Sequence, residues 1–203
     1  MSFINLSIEN PVVRCPETIT GGLIGMGARF VMDGGDAGGR FGLIEHPIIP
    51  RGLACPMHLH TREDEYSFIL EGRWGFQLGD RVVYGEPGDL VYKPRDVWHS
   101  FWNASDGPAR LLEIISPSGF EHYFVELSRL FASTGGSDPE AFVALNEKYG
   151  LKMDFDSVPG LVETHGLVAA VDPATLDYSL SSSSMPQPSA PEPVLMVTAN
   201  SLE

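Results

Sequence analysis

Between residues 28 and 118 the chain consists of short apolar runs separated by residues that form turns. The runs are RFVMD, RFGLIEHPII, EYSFIL, RWGFQL, RVVYG, DLVYK, WHSFW and ARLLEII. They are rich in β-branched and aromatic residues, and turn-forming pairs such as Gly34-Gly35 and Pro87-Gly88 stand between them. Short strands that recur about every 10 residues predict an all-β sandwich or jelly roll in this part of the chain.

The rest of the chain divides into three parts. Residues 1–27 read as an irregular lead-in, and residues 119–172 as a small helical extension that covers one side of the β-domain. Residues 173–203 include the stretch DYSLSSSSMPQPSAPEP, which is rich in serine and proline and has no lysine or arginine. Such a composition supplies no packed core and predicts a flexible tail. The final VLMVTANSLE is more apolar, and is compatible with an extra docked strand or with a cloning remnant.

Three helices are predicted in the extension. The first is indicated by apolar residues at helical spacing, which are Phe120, Phe124, Leu127 and Phe131. We expect these side chains to pack in the core. The second follows Asp138, has Pro139 at its first position and ends at Gly150, the pattern of a capped helix. A third short helix is predicted over residues 158–165.

The composition disfavours several classes of partner. Thirteen basic and 27 acidic residues give a formal net charge of −14, whereas nucleic acids and anionic membranes bind basic surfaces. No apolar run approaches the ~18 residues of a membrane span, and the N-terminal residues lack the pattern of a signal peptide. Cys15 and Cys55 have no spacing typical of a disulfide framework. We therefore expect free thiols and a cytoplasmic protein.

Two histidines and a glutamate point to a metal site. His58 and His60 are two residues apart, and in a strand such residues share one face. Glu65 lies at the start of the next apolar strand, where its charge needs a partner. His99 lies in the aromatic strand WHSFW, on the same face as Phe101. Neutral imidazoles and a carboxylate on one face are the ingredients of a metal site with open positions.

These residues resemble, in order and spacing, the two motifs of the cupin family. The first motif is G-x5-H-x-H-x3–4-E-x6-G, and its fixed positions are occupied by Gly52, His58, His60, Glu65 and Gly72. The second is G-x5-P-x-G-x2-H-x3-N, which is matched by Gly88, Pro94, His99 and Asn103. Fifteen residues separate the two motifs, a spacing typical of cupins.

The chain departs from the second motif at one position, where Asp96 replaces glycine. This position falls in a turn, and aspartate tolerates turn geometry better than most residues. The resemblance covers residues 28–118 and implies a double-stranded β-helix, the cupin jelly roll.

The resemblance implies that His58, His60, Glu65 and His99 bind one divalent transition metal. Three imidazoles and a carboxylate suit Fe, Mn, Co or Ni, and the absence of thiolate ligands argues against structural zinc. Glu63 and Asp64 are nearby carboxylates that fit the motif less well, Asp64 because of its residue type and Glu63 because it is too close to His60. Glu63 is expected on the solvent side of the turn. Cys55 is expected to be structural. Three histidines outside the motifs are expected to be ordinary surface or packing residues; they are His46, His122 and His165.

A substrate pocket is expected on the inward face beside the ligands. Alternation places Ser67 and Ile69 after Glu65, and Phe101 after His99, on that face. Met57, Phe76 and Ile114 are further candidates for the lining. Such a pocket is mostly apolar, which favours an aromatic or polyketide-like substrate over a sugar.

The phrase HTREDEYSFILEG and the helical extension resemble the quercetinase-like branch of cupins, which are dioxygenases that open flavonols. This resemblance implies that Glu65 is both ligand and general base, that O₂ is a co-substrate, and that an enolisable aromatic or diketone reacts. Two alternatives stay open: a non-oxidative isomerase, lyase or cyclase, and a small-molecule-binding cupin without turnover. Because a jelly roll leaves sheet edges that need cover, we also expect a homodimer.

Overall fold

A computed structural model describes residues 26–134 and 138–169. Ten β-strands lie within these residues: β1 Arg29–Met32, β2 Gly42–Ile48, β3 Met57–His60, β4 Asp64–Glu71, β5 Trp74–Leu78, β6 Arg81–Gly85, β7 Leu90–Lys93, β8 His99–Asn103, β9 Ala109–Ser116 and β10 Leu151–Asp154. The helices are α1 Glu121–Thr134, α2 Pro139–Tyr149 and α3 Ser157–His165. None of the helices described is long and apolar enough to cross a membrane.

The strands form two five-stranded antiparallel sheets. The first has the order β1-β2-β9-β4-β7 and the second the order β10-β3-β8-β5-β6. Strands far apart in sequence are neighbours, as β4 and β9 are, which is typical of jelly-roll connections. The prediction of an all-β jelly roll with a small helical extension is confirmed. Most of the predicted lead-in and all of the predicted tail lie outside the described residues.

The helices begin and end where the sequence signals stand. In α2, the side chain of Asp138 accepts a hydrogen bond from the Ala141 amide, and Gly150 ends the helix in the left-handed conformation with φ 66°. These are the N-terminal and C-terminal caps that aspartate and glycine supply best. Three of the four apolar residues predicted for α1 are buried. Phe124 and Leu127 lie in the helix, and Phe120 lies immediately before it.

Strand β10 was not predicted from the sequence. Its four residues, LKMD, are too short and too mixed to show an alternation of polar and apolar residues. It pairs along all of β3, with Leu151 opposite His60 and Met153 opposite His58. The helical extension therefore contributes an outer strand to the second sheet, next to the strand with two histidines.

The core lies between the inner faces of the two sheets. It contains Ile44, Ile69, Phe76, Phe101 and Leu111, and α1 adds its aromatic side chains to the same cluster. A second, smaller cluster lies on the other face of the second sheet, beneath α3. On the outer face of β7, Leu90 is 53% and Tyr92 44% exposed. The homodimer stays a prediction.

The backbone conformation and hydrogen bonds explain two residues of the second motif, Asp96 and Asn103. Asp96 has φ 62°, a left-handed conformation that glycine adopts most easily, and its amide donates to the His60 carbonyl. The Asn103 amide group donates to the carbonyls of Ile49 and Gly107. These two bonds join the segment after β2 to the loop between β8 and β9, so Asn103 is a structural residue of the fold.

Candidate metal centre

The structure brings His58, His60, Glu65 and His99 together inside the barrel. Each offers one ligand atom, and these atoms all lie within 4.8 Å of one another. Strand alternation turns the two histidines of β3 inward, and β8 places His99 directly opposite His58. All four side chains are buried. The grouping that the sequence predicts is therefore present in the fold.

The backbone sets the orientation of two of the imidazole rings. Nδ1 of His58 lies 3.0 Å from the carbonyl oxygen of Pro56, and Nδ1 of His99 lies 2.8 Å from that of Val97. A carbonyl only accepts, so each Nδ1 carries the proton and donates it. The proton-free nitrogen is then Nε2, the form in which a neutral imidazole binds a metal.

Unpaired polar atoms show that these residues fit a metal. Among the described residues, both ring nitrogens of His60 and Nε2 of His99 are buried without a hydrogen-bond partner. A buried polar atom without a partner costs about 1–3 kcal/mol. Glu65 lies nearby, with Oε1 3.4 Å from Nε2 of His60 and Oε2 3.3 Å from Nε2 of His99. A divalent transition metal satisfies Nε2 of His60 and Nε2 of His99 together with Glu65 by accepting their electron pairs, whereas Nδ1 of His60 faces Glu63, whose Oε2 is 4.0 Å away.

The charge states of the cluster also suit a metal. Burial lowers the pKa of His60 to about 4 and that of His58 well below its usual value, so both rings are neutral at pH 7. Burial opposes ionisation of Glu65, but His60, Lys93 and His99 outweigh it and hold its pKa well below the usual range. Glu65 is thus a carboxylate, and the cluster supplies neutral nitrogens and an anionic oxygen.

Sequence analysis missed Lys93, whose side chain is fully buried beside the cluster. Its Nζ lies 2.8 Å from Oε2 of Glu65 and 2.8 Å from Oε2 of Glu113. The ammonium also lies over the ring of Phe101, 4.3 Å from its centroid. The pattern of β7 hides this residue, because Leu90 and Tyr92 face outward while Lys93 faces inward.

Glu113 is the second interior charge that sequence analysis missed. Its carboxylate accepts hydrogen bonds from Lys93 and from the hydroxyl of Ser67, the latter at 2.9 Å. Burial is the main influence and raises the pKa of Glu113 to about 7. A signal was present in the sequence, since a glutamate in the middle of the apolar strand ARLLEII needs a buried partner, as Glu65 does.

The two neighbouring carboxylates lie in different surroundings. Glu63 was expected on the solvent side of the turn, but it is buried, and its Oε2 lies 4.0 Å from Nδ1 of His60. The helical extension packs on this turn, where Thr61 and Arg62 donate hydrogen bonds to the carbonyls of Gly150 and Lys148. Burial raises the pKa of Glu63 to about 7. Asp64 faces away from the cluster and forms a two-pronged ion pair with Arg95.

Four of the six predicted pocket residues lie in the interior with the cluster: Ser67, Ile69, Phe76 and Phe101. The structure places the other two, Ile114 and Met57, away from the cluster. Ile114 faces outward, because it pairs with the outward Tyr66 and its neighbours Glu113 and Ile115 face inward. Met57 faces the opposite side of β3 from His58, and packs in the cluster beneath α3.

The remaining predicted structural residues have packing contacts. His46 is buried, its Nδ1 donates to the Gly27 carbonyl, and burial lowers its pKa to about 4. The ring of His165 stacks on Trp102 at 4.2 Å. Cys55 is a buried free thiol, and burial raises its pKa to about 12. None of the three points to chemistry.

A second group of potential ligands lies at the start of α1. It consists of Asp33, Glu121 and His122, with Nε2 of His122 3.5 Å from Asp33 and 3.9 Å from Glu121. The Glu121 carboxylate is already used, because its two oxygens accept hydrogen bonds from the amides of Gly34 and Gly119. Glu121 therefore acts as a clamp: it joins the loop of Gly34 and the loop of Gly119 to the start of α1.

The fold and the interior cluster define a jelly-roll protein with a candidate metal centre of three histidines and one glutamate. Residues 47–115 match the family model described as the cupin domain. The matched segment is about a third of the chain and includes all four clustered residues. The match supports the predicted resemblance to cupins but does not single out the quercetinase-like branch.

Comparison with individual proteins gives partial matches. An uncharacterized protein of Methanocaldococcus jannaschii is 31% identical over 65 residues, which are 32% of this chain and 52% of that protein. The chain thus spans about half the length of this curated relative. A sugar phosphate isomerase of the cupin superfamily from Silicibacter pomeroyi is 24% identical, with a TM-score of 0.42 over 51% of this chain and 71% of that one.

A further solved structure is oxalate decarboxylase from Bacillus subtilis, which contains Mn(II) centres. It is 22% identical, with a TM-score of 0.45 over 51% of this chain and 28% of that one. KdgF from Halomonas sp. is 15% identical, with a TM-score of 0.42 over 59% of this chain and 96% of that one. Similarities at this level assign no activity to the chain.

Proposed function

We propose that the chain is a metal-dependent cupin dioxygenase that acts on an enolisable aromatic, flavonol-like or diketone molecule. One divalent transition metal per chain, Fe, Mn, Ni or Co in preference to zinc, is held by His58, His60, Glu65 and His99. The proposal rests on one observation: buried ring nitrogens of His60 and His99 have no hydrogen-bond partner and lie beside the carboxylate of Glu65. Such donors are satisfied together by one cation.

The chemistry divides between the metal and the chain. A bound divalent transition metal supplies Lewis acidity and coordination positions beyond those that the protein fills. The chain supplies Glu65, a carboxylate placed to accept a proton from a substrate hydroxyl. In the same interior, Ile69, Phe76 and Phe101 are buried apolar side chains that would form apolar walls of a substrate pocket. Apolar walls favour a flat, poorly hydrated substrate such as an aromatic ring.

One observation favours a second candidate, a non-oxidative cupin enzyme such as an isomerase, lyase or cyclase. The interior also holds the charged Lys93 and Glu113, so it is more polar than the sequence predicted. Charged groups beside a Lewis acid suit proton transfers on a polar substrate. In that case the metal polarises the substrate and no O₂ is consumed.

Two measurements separate the candidates. Elemental analysis of protein purified without chelators should find about one transition metal per chain. An oxygen electrode should then record uptake with at least one member of a panel of flavonols and β-diketones. Conversion of a panel member without oxygen uptake would favour the non-oxidative enzyme. If the protein contains the metal but converts no panel member, a binding protein is favoured. If it contains no stoichiometric metal, both proposed metal-dependent enzymes are contradicted.

A further inference from the structure

We propose that Lys93 is a positioning residue that occupies one oxygen of Glu65, so that the metal receives Glu65 through the other oxygen alone. The inference rests on the metal centre proposed above. Nζ of Lys93 lies 2.8 Å from Oε2 of Glu65, an oxygen that also lies 3.3 Å from Nε2 of His99, whereas Oε1 lies 3.4 Å from Nε2 of His60. Both oxygens face a ligand nitrogen, and Oε2 is the one with an ammonium beside it.

The ammonium of Lys93 is held in place from several sides. Strand register sets Lys93 directly opposite Glu65 across β4 and β7. Glu113 on β9 accepts its hydrogen bond at 2.8 Å, and the ring of Phe101 on β8 lies against it. This ammonium is fully buried between two carboxylates. Moving it away from them would leave a buried charge without a partner, which is costly. Lys93 is therefore a fixed partner for Glu65.

A fixed partner on Oε2 determines how many positions the metal keeps. A carboxylate ligates a cation through one oxygen or through both, and the second oxygen fills another coordination position. Metal sites that react with small molecules keep at least one position open. With Oε2 paired to Lys93, Glu65 fills one position through Oε1 and leaves another for an external ligand, and Oε2, held off the metal, is the oxygen that keeps a lone pair for the substrate proton. Without the ammonium, both oxygens are free to bind.

The test replaces the metal by Co(II), whose visible spectrum reports coordination, and uses azide as the external ligand. The double variant Lys93→Met with Glu113→Gln removes one positive and one negative charge, so the interior charge is unchanged. We expect it to retain cobalt with an altered visible spectrum. Its affinity for azide should fall by about tenfold or more, in the range typical of lost outer partners of a metal ligand.

Matched variants isolate the contact. Glu113→Gln alone keeps Lys93 beside Glu65 and should leave the cobalt spectrum and the azide affinity near the original values. A second double variant, Lys93→Gln with Glu113→Gln, keeps polar groups at both positions. If the methionine variant fails to fold, this variant should show the same altered cobalt spectrum and weaker azide binding. A cobalt spectrum and azide affinity equal to those of the unchanged protein in either folded pair would overturn the inference. Failure of the unchanged protein to bind cobalt would instead overturn the metal centre itself.

Discussion

Two groups of histidines and carboxylates lie in this molecule, and they differ in how their polar atoms are used. In the barrel interior, His60 and His99 have buried nitrogens without hydrogen-bond partners, and all four potential ligands are buried. At the start of α1, the side chain of His122 is 40% exposed. Both oxygens of the neighbouring Glu121 accept backbone hydrogen bonds.

The difference lies in what each group lacks rather than in which residues it contains. The interior group loses free energy unless something accepts its electron pairs, because these atoms are buried. The group at α1 is already satisfied by the backbone and by solvent. Residue type and proximity alone therefore identify two candidates, and unsatisfied buried donors select one.

The largest expected effect separates the two groups by metal content. Substitution of His58, His60 and His99 together by alanine should abolish stoichiometric metal, because a single carboxylate binds a transition metal weakly. His122→Ala should leave the metal content unchanged. Elemental analysis of both proteins, purified without chelators, provides the measurement. Equal metal content in the triple variant and the unchanged protein would contradict the assignment of the interior group.

The next effect concerns turnover and the carboxylates near the ligands. Glu65→Gln keeps the size of the side chain but accepts no proton at neutral pH, so turnover should fall by about 10²–10⁴-fold. Much of the metal should remain on the three histidines. Activity against a substrate found in the flavonol and β-diketone panel is the readout. Full activity of Glu65→Gln would remove both its ligand and its proton-accepting roles.

Neighbouring carboxylates provide the controls for that measurement. Glu63 is buried near His60 but makes no hydrogen bond to it, so Glu63→Gln should cost at most about tenfold, the lower end for outer partners of metal ligands. Asp64 is paired with Arg95 on the other side, and Asp64→Asn should change turnover little. Loss of activity in Asp64→Asn with Glu65→Gln active would exchange their assigned roles.

A smaller effect is expected at α1, in stability and not in metal binding. Glu121→Ala leaves the amides of Gly34 and Gly119 without their charged acceptor, and each such bond is worth about 1.5–3 kcal/mol. We expect a loss of about 4 kcal/mol in the free energy of unfolding by urea. The metal content of the folded variant should match that of the unchanged protein. If Glu121→Ala lost metal without losing stability, Glu121 would be a metal ligand and not a structural residue.

The smallest effect is a change in pH dependence due to His46. Its pKa of about 4 in the folded chain lies below the usual 6.5, so the unfolded chain binds more protons between these values. Stability is therefore present above pH 6.5 and lost as the pH falls toward 4, by about 2 kcal/mol between pH 7 and pH 5. His46→Gln should reduce this loss by that amount, measured by urea unfolding at both values. An unchanged slope would show that the pKa of His46 is the same in the folded and in the unfolded chain.

Much of the fold and of the candidate site follows from local patterns. Strand periodicity and turn residues predicted the β-domain, and the spacing of His58, His60, Glu65 and His99 predicted which side chains converge. These predictions succeed because alternation within a strand is a local property. Asp96 also follows local rules, since its left-handed φ is the conformation that the motif's glycine indicates.

The errors arise where register between distant strands decides the environment. Ile114 and Glu113 are adjacent, and only the pairing of β9 with β4 shows which of them faces inward. Lys93 inverts the usual arrangement, with apolar Leu90 and Tyr92 outside and the charge inside, so hydrophobic patterning predicts the wrong face. Met57 was a further candidate for the lining, but it is adjacent to the inward His58, and neighbouring strand residues point to opposite faces.

The pairing of β10 with β3 has a consequence for biosynthesis. Leu151 lies opposite His60, and 151 − 60 = 91 residues separate the two partners along the chain. A ribosome adds about 5–20 residues per second, so β3 waits several seconds or more for its outer neighbour to emerge. During that interval an unpaired strand edge is open to pairing with another nascent chain. Slow translation between residues 60 and 154 is therefore expected to lower the yield of the native protein.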